Sequence, residues 1–153
     1  MLPIIGSYFR RFLGFFRTPD RRQVAALCWR LGDAGPEVML ITTRRTKRWT
    51  PPKGWPMSDR SLAGAAAQEA WEEAGVKGDI DENAIGGYTY TKTPRTSGTA
   101  KPVRVEVFPL HVRDVADKYP ERKQRERRWM TPETASDSVA EPELKRLIAN
   151  FPG

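Results

Sequence analysis

Residues 52–76 hold a glycine-bearing turn at Gly54, an alanine-rich segment, and three glutamates within five positions, Glu69, Glu72 and Glu73. Few folds accept that combination. On a helix advancing about 100° per residue, Ala63, Ala66, Ala67, Ala70, Trp71 and Ala74 share an arc of roughly 140°. The three glutamates fall on a neighbouring arc of roughly 100°. One face can therefore press on a sheet while the adjoining face gathers negative charge. Like charges three and four residues apart repel, so this cluster gives an isolated helix no stability. A cation is expected against it, and hard carboxylate oxygens suit Mg²⁺ or Mn²⁺.

The chain has 153 residues, enough for one domain with a real core. Its net charge of +7 favours a polyanionic partner: a phosphorylated small molecule, nucleic acid or an anionic membrane surface. The plainer reading of that excess is solubility. Cys28 is the sole cysteine, which excludes an intrachain disulfide and a cysteine-rich zinc site and fits a reducing compartment. His111 is the sole histidine, which excludes a paired-histidine metal site and argues against a Ser-His-Asp triad. Both sit in strand-like runs and are expected to be buried and structural.

Along the chain, Ile5, Tyr8, Phe9, Phe12, Leu13 and Phe16 recur at helical spacing among Arg10, Arg11 and Arg17. Residues 1–19 thus read as a basic amphipathic segment and 20–153 as the main domain. The segment has neither the length to span a bilayer nor the order of a secretory signal. It is expected to pack on its own domain or on a second copy, as a homodimer, rather than lie on a membrane surface.

Residues 23–30 and 37–43 read as strands of a hairpin. A basic run, Arg44, Arg45, Lys47 and Arg48, then leads into Lys53 and the acidic helix. Charge runs are usually solvated, but this one adjoins a candidate metal site, so phosphate contact is expected. Further strands are predicted over 84–91 and 103–108, the second continuing past Pro109 towards Val112, with a polar loop over 94–101 between them. A charged stretch over 119–128 ends at Trp129 and Met130. Thr131 caps a short helix with Pro132 in its first turn, and a last helix runs over 142–151.

Gly54, five residues, Arg60, seven residues, then Gln68-Glu69-Ala70-Trp71-Glu72-Glu73-Ala74-Gly75-Val76 resembles the Nudix box, Gly-x5-Glu-x7-Arg-Glu-U-x-Glu-Glu-x-Gly-U, where U is apolar. It departs at Arg60, where the family has Glu, and at Gln68, where it has Arg. Arg48-Trp49-Thr50-Pro51-Pro52-Lys53-Gly54-Trp55-Pro56, Gly86-Gly87-Tyr88-Thr89-Tyr90 and Arg127-Arg128-Trp129-Met130 resemble the diphosphoinositol polyphosphate phosphohydrolase-like branch, though these motifs are less specific than the box.

The resemblance implies an α/β fold, the Nudix α/β/α sandwich with a mixed β-sheet. It implies a Mg²⁺-dependent enzyme, Mn²⁺ also serving, that hydrolyses a phosphoanhydride in a diphosphoinositol or diadenosine polyphosphate. Glu69 and Glu73 would be the main metal ligands, and Glu72 a further ligand or the general base. Glu69 and Glu72 are thus the catalytic candidates, with Glu106, Glu121 and Glu126 as candidates for an acid outside the box. Arg21, Arg22, Arg44, Arg45, Lys47 and Lys53 would suit the substrate's phosphates. The expected setting is cytoplasmic, with no stable nucleic-acid partner. Competing readings are a Nudix pyrophosphohydrolase acting on RNA 5′-ends or nucleoside-diphosphate derivatives, and a noncatalytic phosphate-ligand module in which Arg60 and Gln68 mark lost catalysis.

Overall fold

The computed structural model of the chain describes residues 22–92 and 98–151. The amphipathic segment read over residues 1–19, Arg21, and residues 94–97 of the polar loop lie outside the described residues. The sheet is centred on β1 (Arg22–Gly32) and β7 (Lys101–Val115), which are buried on both faces over residues 24–28 and 107–110 and pair in parallel, Ala25 opposite Val107 and Cys28 opposite Leu110. Burial on both sides of a parallel pair demands layers above and below it. The strand after Val103 does run on through Pro109, and it begins earlier, at Lys101.

Around this pair the remaining strands are antiparallel, which makes the sheet mixed. β2 (Gly35–Thr42) forms the expected hairpin with β1. The two-residue strand β3 (Trp49–Thr50) and β8 (Arg127–Met130) both pair with β2. The short β4 (Lys53–Gly54) lies on β1, and β5 (Val76–Ile80) and β6 (Gly86–Lys92) lie on β7. Alternate residues divide between two cores. Val24, Ala26, Cys28, Met39, Ile41, Phe108 and Leu110 face helix α1 (Leu62–Glu69). Ala25, Leu27, Val38, Leu40, Val105 and Val107 face the opposite layer, where α3 (Pro142–Ala149) contributes Leu144 and Ile148, and α2 (Pro132–Ser138) contributes Ala135. The architecture is the expected α/β/α sandwich. Thr131 caps α2 by accepting from the Thr134 amide at 3.2 Å, as its sequence position predicts.

The alanine stripe of α1 is buried, with one shift from the wheel. Ala65 joins Ala63, Ala66, Ala70 and Ala74 in the core, whereas Trp71 and Ala67 are only half-buried. Trp71 lies in a π-helical turn over Ala70–Ala74, which widens the helix and breaks the 100° repeat assumed from sequence. Trp71 instead carries the Lys77 ammonium over its ring at 4.6 Å.

The turn ends at Gly75, whose φ of 69° is left-handed and whose amide donates to the Trp71 carbonyl at 3.0 Å. A Cβ at this position would also run into the Tyr119 ring. Gly75→Ala is therefore expected to cost about 1–2 kcal/mol from the left-handed backbone, and more from the clash. Urea unfolding of the two proteins measures the difference.

Cys28 is buried, and its burial pushes the thiol up to about 12, so it stays protonated at neutral pH. His111 is half-buried rather than buried, and it lies flat on Trp29 with ring centroids 4.0 Å apart. Among the described residues, no helix is long and apolar enough to cross a membrane.

Candidate active site

Thr50, Pro51 and Pro52 bring the chain back across the sheet, where prolines with no amide hydrogen fit between short strand pairings. The Ala26 amide donates to the Pro52 carbonyl at 3.0 Å, and Gly54 then pairs with Val24. This fixes Gly54 directly over α1. A Cβ on Gly54 would overlap the Glu69 carboxyl group, so glycine is what allows backbone and carboxylate to meet. Ser61 starts α1 by accepting from the Gly64 amide at 2.9 Å.

Three box glutamates and one outside it are buried: Glu69 at 0% exposure, Glu72 at 2%, Glu73 at 5% and Glu121 at 3%. Of the three candidates outside the box, the structure brings Glu121 to the cluster. Glu106 instead pairs with Arg22 at 3.1 Å in an exposed bridge, and Glu126 is exposed. The Gln68 Nε2 donates to Glu72 Oε2 at 2.8 Å, so the residue that departs from the box still holds a carboxylate, without charge. Arg60 is exposed in the turn before α1, and among the described residues its side chain makes no hydrogen bond or ion pair.

The guanidinium at this cluster comes from Arg125. It donates to Glu73 Oε2 at 3.2 Å, to Glu121 Oε1 at 3.0 Å and to the Thr42 carbonyl at 3.2 Å, and its side chain is 9% exposed. The other Glu73 oxygen accepts from the Lys53 amide at 3.2 Å. Burial pushes the Glu73 carboxyl above its ordinary range, with Glu121 adding to the push and Arg125 and Lys53 opposing it.

Four buried carboxylates, two of them on the Arg125 guanidinium, make a donor set of hard oxygens with surplus negative charge, and that chemistry fits a divalent cation. Among the described residues, however, no three His, Cys, Asp or Glu side chains are gathered at metal-ligand spacing. Glu73 and Glu72 are directed to Arg125 and Gln68. The residues that would hold a cation are therefore the same box glutamates, brought close but held apart by protein donors.

Beside the carboxylates lies a cleft of about 220 Å³ lined by Arg45, Arg48, Trp49, Lys53, Tyr90 and Lys92, among others. The basic run is built as a turn rather than left as a loose loop. Thr43 receives the Arg48 amide on Oγ1 at 2.9 Å, and its own amide donates to the Arg48 carbonyl at 2.8 Å. Lys47 adopts a left-handed φ of 56° in that turn and is exposed.

Of the basic candidates, Arg45 and Lys53 thus line the cleft. Arg44 turns away to Gln124 at 3.1 Å, Arg22 lies in its exposed bridge, and Lys47 is not among the lining residues. Sequence reasoning missed Lys92 and Arg125. Lys92 ends a strand without any motif, and Arg125 was hidden inside a charge run. Burial lowers the pKa of both Lys53 and Lys92. Burial also pushes the Tyr90 phenol up to about 12, and its hydroxyl donates to Gln23 Oε1 at 2.7 Å.

A NUDIX domain profile matches residues 21–151. The chain belongs to the Nudix family. Nudix hydrolase 12, mitochondrial, of Arabidopsis thaliana is 31% identical to this Nudix chain over 75% of it and 58% of the relative. Diphosphoinositol polyphosphate phosphohydrolase 2 of Rattus norvegicus is 39% identical over 42% of this chain and 38% of the relative. The chain spans 58%, 65% and 61% of the length of three such plant Nudix hydrolases, numbers 12, 16 and 18. The solved Caenorhabditis elegans Ap4A hydrolase in a binary complex shares the fold, with a TM-score of 0.61 at 22% identity over 84% of this chain and 92% of that one. The Escherichia coli dihydroneopterin triphosphate pyrophosphohydrolase does so at 0.64 and 12% identity, over 86% and 94%. Nudix hydrolases generally use divalent metals.

Proposed function

We propose that this Nudix chain hydrolyses a phosphoanhydride bond in a highly phosphorylated small molecule, with Mg²⁺ or Mn²⁺ as cofactor. The observation that carries the reading is the double placement of Lys53. Its backbone amide holds Glu73, while its side chain lines the basic cleft. Acidic cluster and phosphate-sized basic cleft thereby share one residue.

Phosphoanhydride hydrolysis forms a bond from a water oxygen to phosphorus, breaks the bridging P–O bond and releases the water proton. Glu69 and Glu73 would hold the cation, and Glu72 would take that proton or add a further ligand. The bound cation would neutralise phosphate charge and lower the pKa of the attacking water. Lys53, Arg45 and Lys92 would bind the substrate's remaining phosphates, and the part-buried setting of Lys53 strengthens its contact.

Within this class, the cleft supports a diphosphoinositol polyphosphate over a diadenosine polyphosphate. Stacking of an adenine needs an open aromatic face. Here Lys53 lies 4.6 Å over the Tyr90 ring and Arg128 lies 5.0 Å over Trp49, so a cation already occupies one face of each of these cleft rings. An inositol ring needs no such face. Two relatives, diphosphoinositol polyphosphate phosphohydrolases 2 and 3-alpha, agree with that choice.

Phosphate release with Mg²⁺ from inositol pyrophosphates, diadenosine polyphosphates, nucleotide sugars and capped RNA tests the proposal. Inositol pyrophosphates are expected to turn over fastest. Arg45→Ala and Lys92→Ala are each expected to raise KM about 5-fold, the effect of losing about 1 kcal/mol of charged hydrogen bonding. That effect should shrink at high salt. Faster turnover of capped RNA, with affinity falling steeply with salt, would favour the RNA 5′-end reading. Turnover of none of the four, with tight binding of one, would favour the noncatalytic module.

A further inference from the structure

We infer that Arg125 is the positioning residue of the carboxylate site, holding Glu73 and Glu121 in one fixed arrangement from outside the box. The inference rests on the hydrolytic reading above. Its guanidinium spends three nitrogens on three acceptors that belong to three separate parts of the chain. Glu73 lies in the π-helical turn, Glu121 in the segment after β7, and Thr42 at the end of β2. A planar fork with donors in fixed directions sets the relative position of its acceptors, which a single ammonium cannot do.

Holding the segment in place is already done by other bonds. The Glu121 amide donates to the Glu72 carbonyl at 3.0 Å, and the Ala116 amide to the Gly75 carbonyl at 2.8 Å. The Arg127 Nη1 reaches the Ala74 carbonyl at 2.8 Å, and Thr42 and Glu126 exchange two further bonds of 3.0 and 2.9 Å. With the backbone fastened this way, the Arg125 side chain is left with the carboxylates as its particular task. It supplies positive charge where Gln68 supplies none, and it reaches Glu73 rather than Glu72. Between Arg125 and the Lys53 amide, both Glu73 oxygens are fixed, so the remaining lone pairs point in one set direction.

The test uses the full chain with Arg125→Gln and Arg125→Lys. Three quantities are read: Mg²⁺ affinity by calorimetry, the rise in Tm on adding Mg²⁺, and kcat and KM with an inositol pyrophosphate. Arg125→Gln is expected to weaken Mg²⁺ binding and lower kcat, each by about 10- to 100-fold, the usual cost of losing a group that orients a metal ligand. KM should change by less than about 3-fold, because the substrate's own contacts remain. Arg125→Lys keeps the charge but not the fork, so it should recover less than half of the lost kcat.

A strut that only fastens the segment would behave otherwise. It would lower Tm and leave kcat, Mg²⁺ affinity and the Mg²⁺-induced rise as in wild type, and that result overturns the inference. If Arg125→Gln fails to fold, Arg125→Lys decides: kcat and Mg²⁺ affinity equal to wild type overturn the inference, and loss of both supports it. Absence of Mg²⁺ binding and hydrolysis in the wild-type chain would instead sink the functional reading itself.

Discussion

Replacing Glu69 with Gln is expected to lower kcat by about 10²- to 10³-fold, the loss seen when one charge-stabilising group leaves a preorganised site. The fold should survive the change. Gln has nearly the shape of Glu, and Glu69 is fully buried against Gly54, on the helix that also carries the buried Glu72 and Glu73. Removing a fully buried charge relieves its cost of desolvation. Tm should therefore hold or rise as activity falls. Opposite signs in the two measurements separate a lost chemical group from a damaged core. Circular dichroism melts alongside phosphate release are enough to read both. Wild-type kcat in Glu69→Gln would remove Glu69 from the proposed machinery.

Gly54→Ala acts on the same carboxylate from the other side, with a different pattern. The new methyl would overlap the Glu69 carboxyl group, and α1 lies behind it against a core of alanines. Neither neighbour yields easily. Overpacking of this kind costs about 1–3 kcal/mol. Here it should also push Glu69 out of place and lower kcat by about 10-fold or more. A double variant with Glu69→Ala supplies the check. Removing the carboxyl group opens room for the methyl, so Gly54→Ala should cost less stability in that background than in the wild type, a coupling expected only of groups in contact. Equal costs in the two backgrounds would place the strain elsewhere.

What the sequence disclosed was whatever depends on short-range pattern. The alanine stripe, the glutamate spacing, the apolar runs of β1 and β2 and the apolar–polar alternation at the start of β7 are local signals, and they located the box helix and the centre of the sheet. β5 escaped because Lys77, Gly78 and Asp79 are exposed and its pairing with β7 shifts register between Lys77 and Gly78. β8 was concealed by its arginines. Arg127 stacks over Tyr119 at 4.7 Å and Arg128 over Trp49, so residues that look solvated cover aromatic rings.

The site divided along the same line. Glu69, Glu72 and Glu73 are legible because they are neighbours on one helix. Arg125 is 52 residues from Glu73 and reads as one charge in a run. Its bonds to Glu73 and Thr42 join it to distant parts of the chain. Gln68 and Arg60 both look like losses on paper. In space, Gln68 keeps a bond to Glu72 while Arg60 is exposed, so the two departures differ in weight.

The parallel pairing of β1 with β7 joins residues roughly eighty positions apart, such as Arg22 with Arg104 and Trp29 with His111. Loop closure over that distance is slow, and most of the sheet must wait for it. Lys53 reaches the cleft through β4 on β1, and Arg125 reaches Glu73 through the segment that follows β7. In a growing or refolding chain, the box helix can form early from its own sequence, yet its carboxylates meet their counter-charges only at the end. Catalytic competence should therefore trail helix formation in time. For the interval between, this protein carries its acids without the cation that holds them.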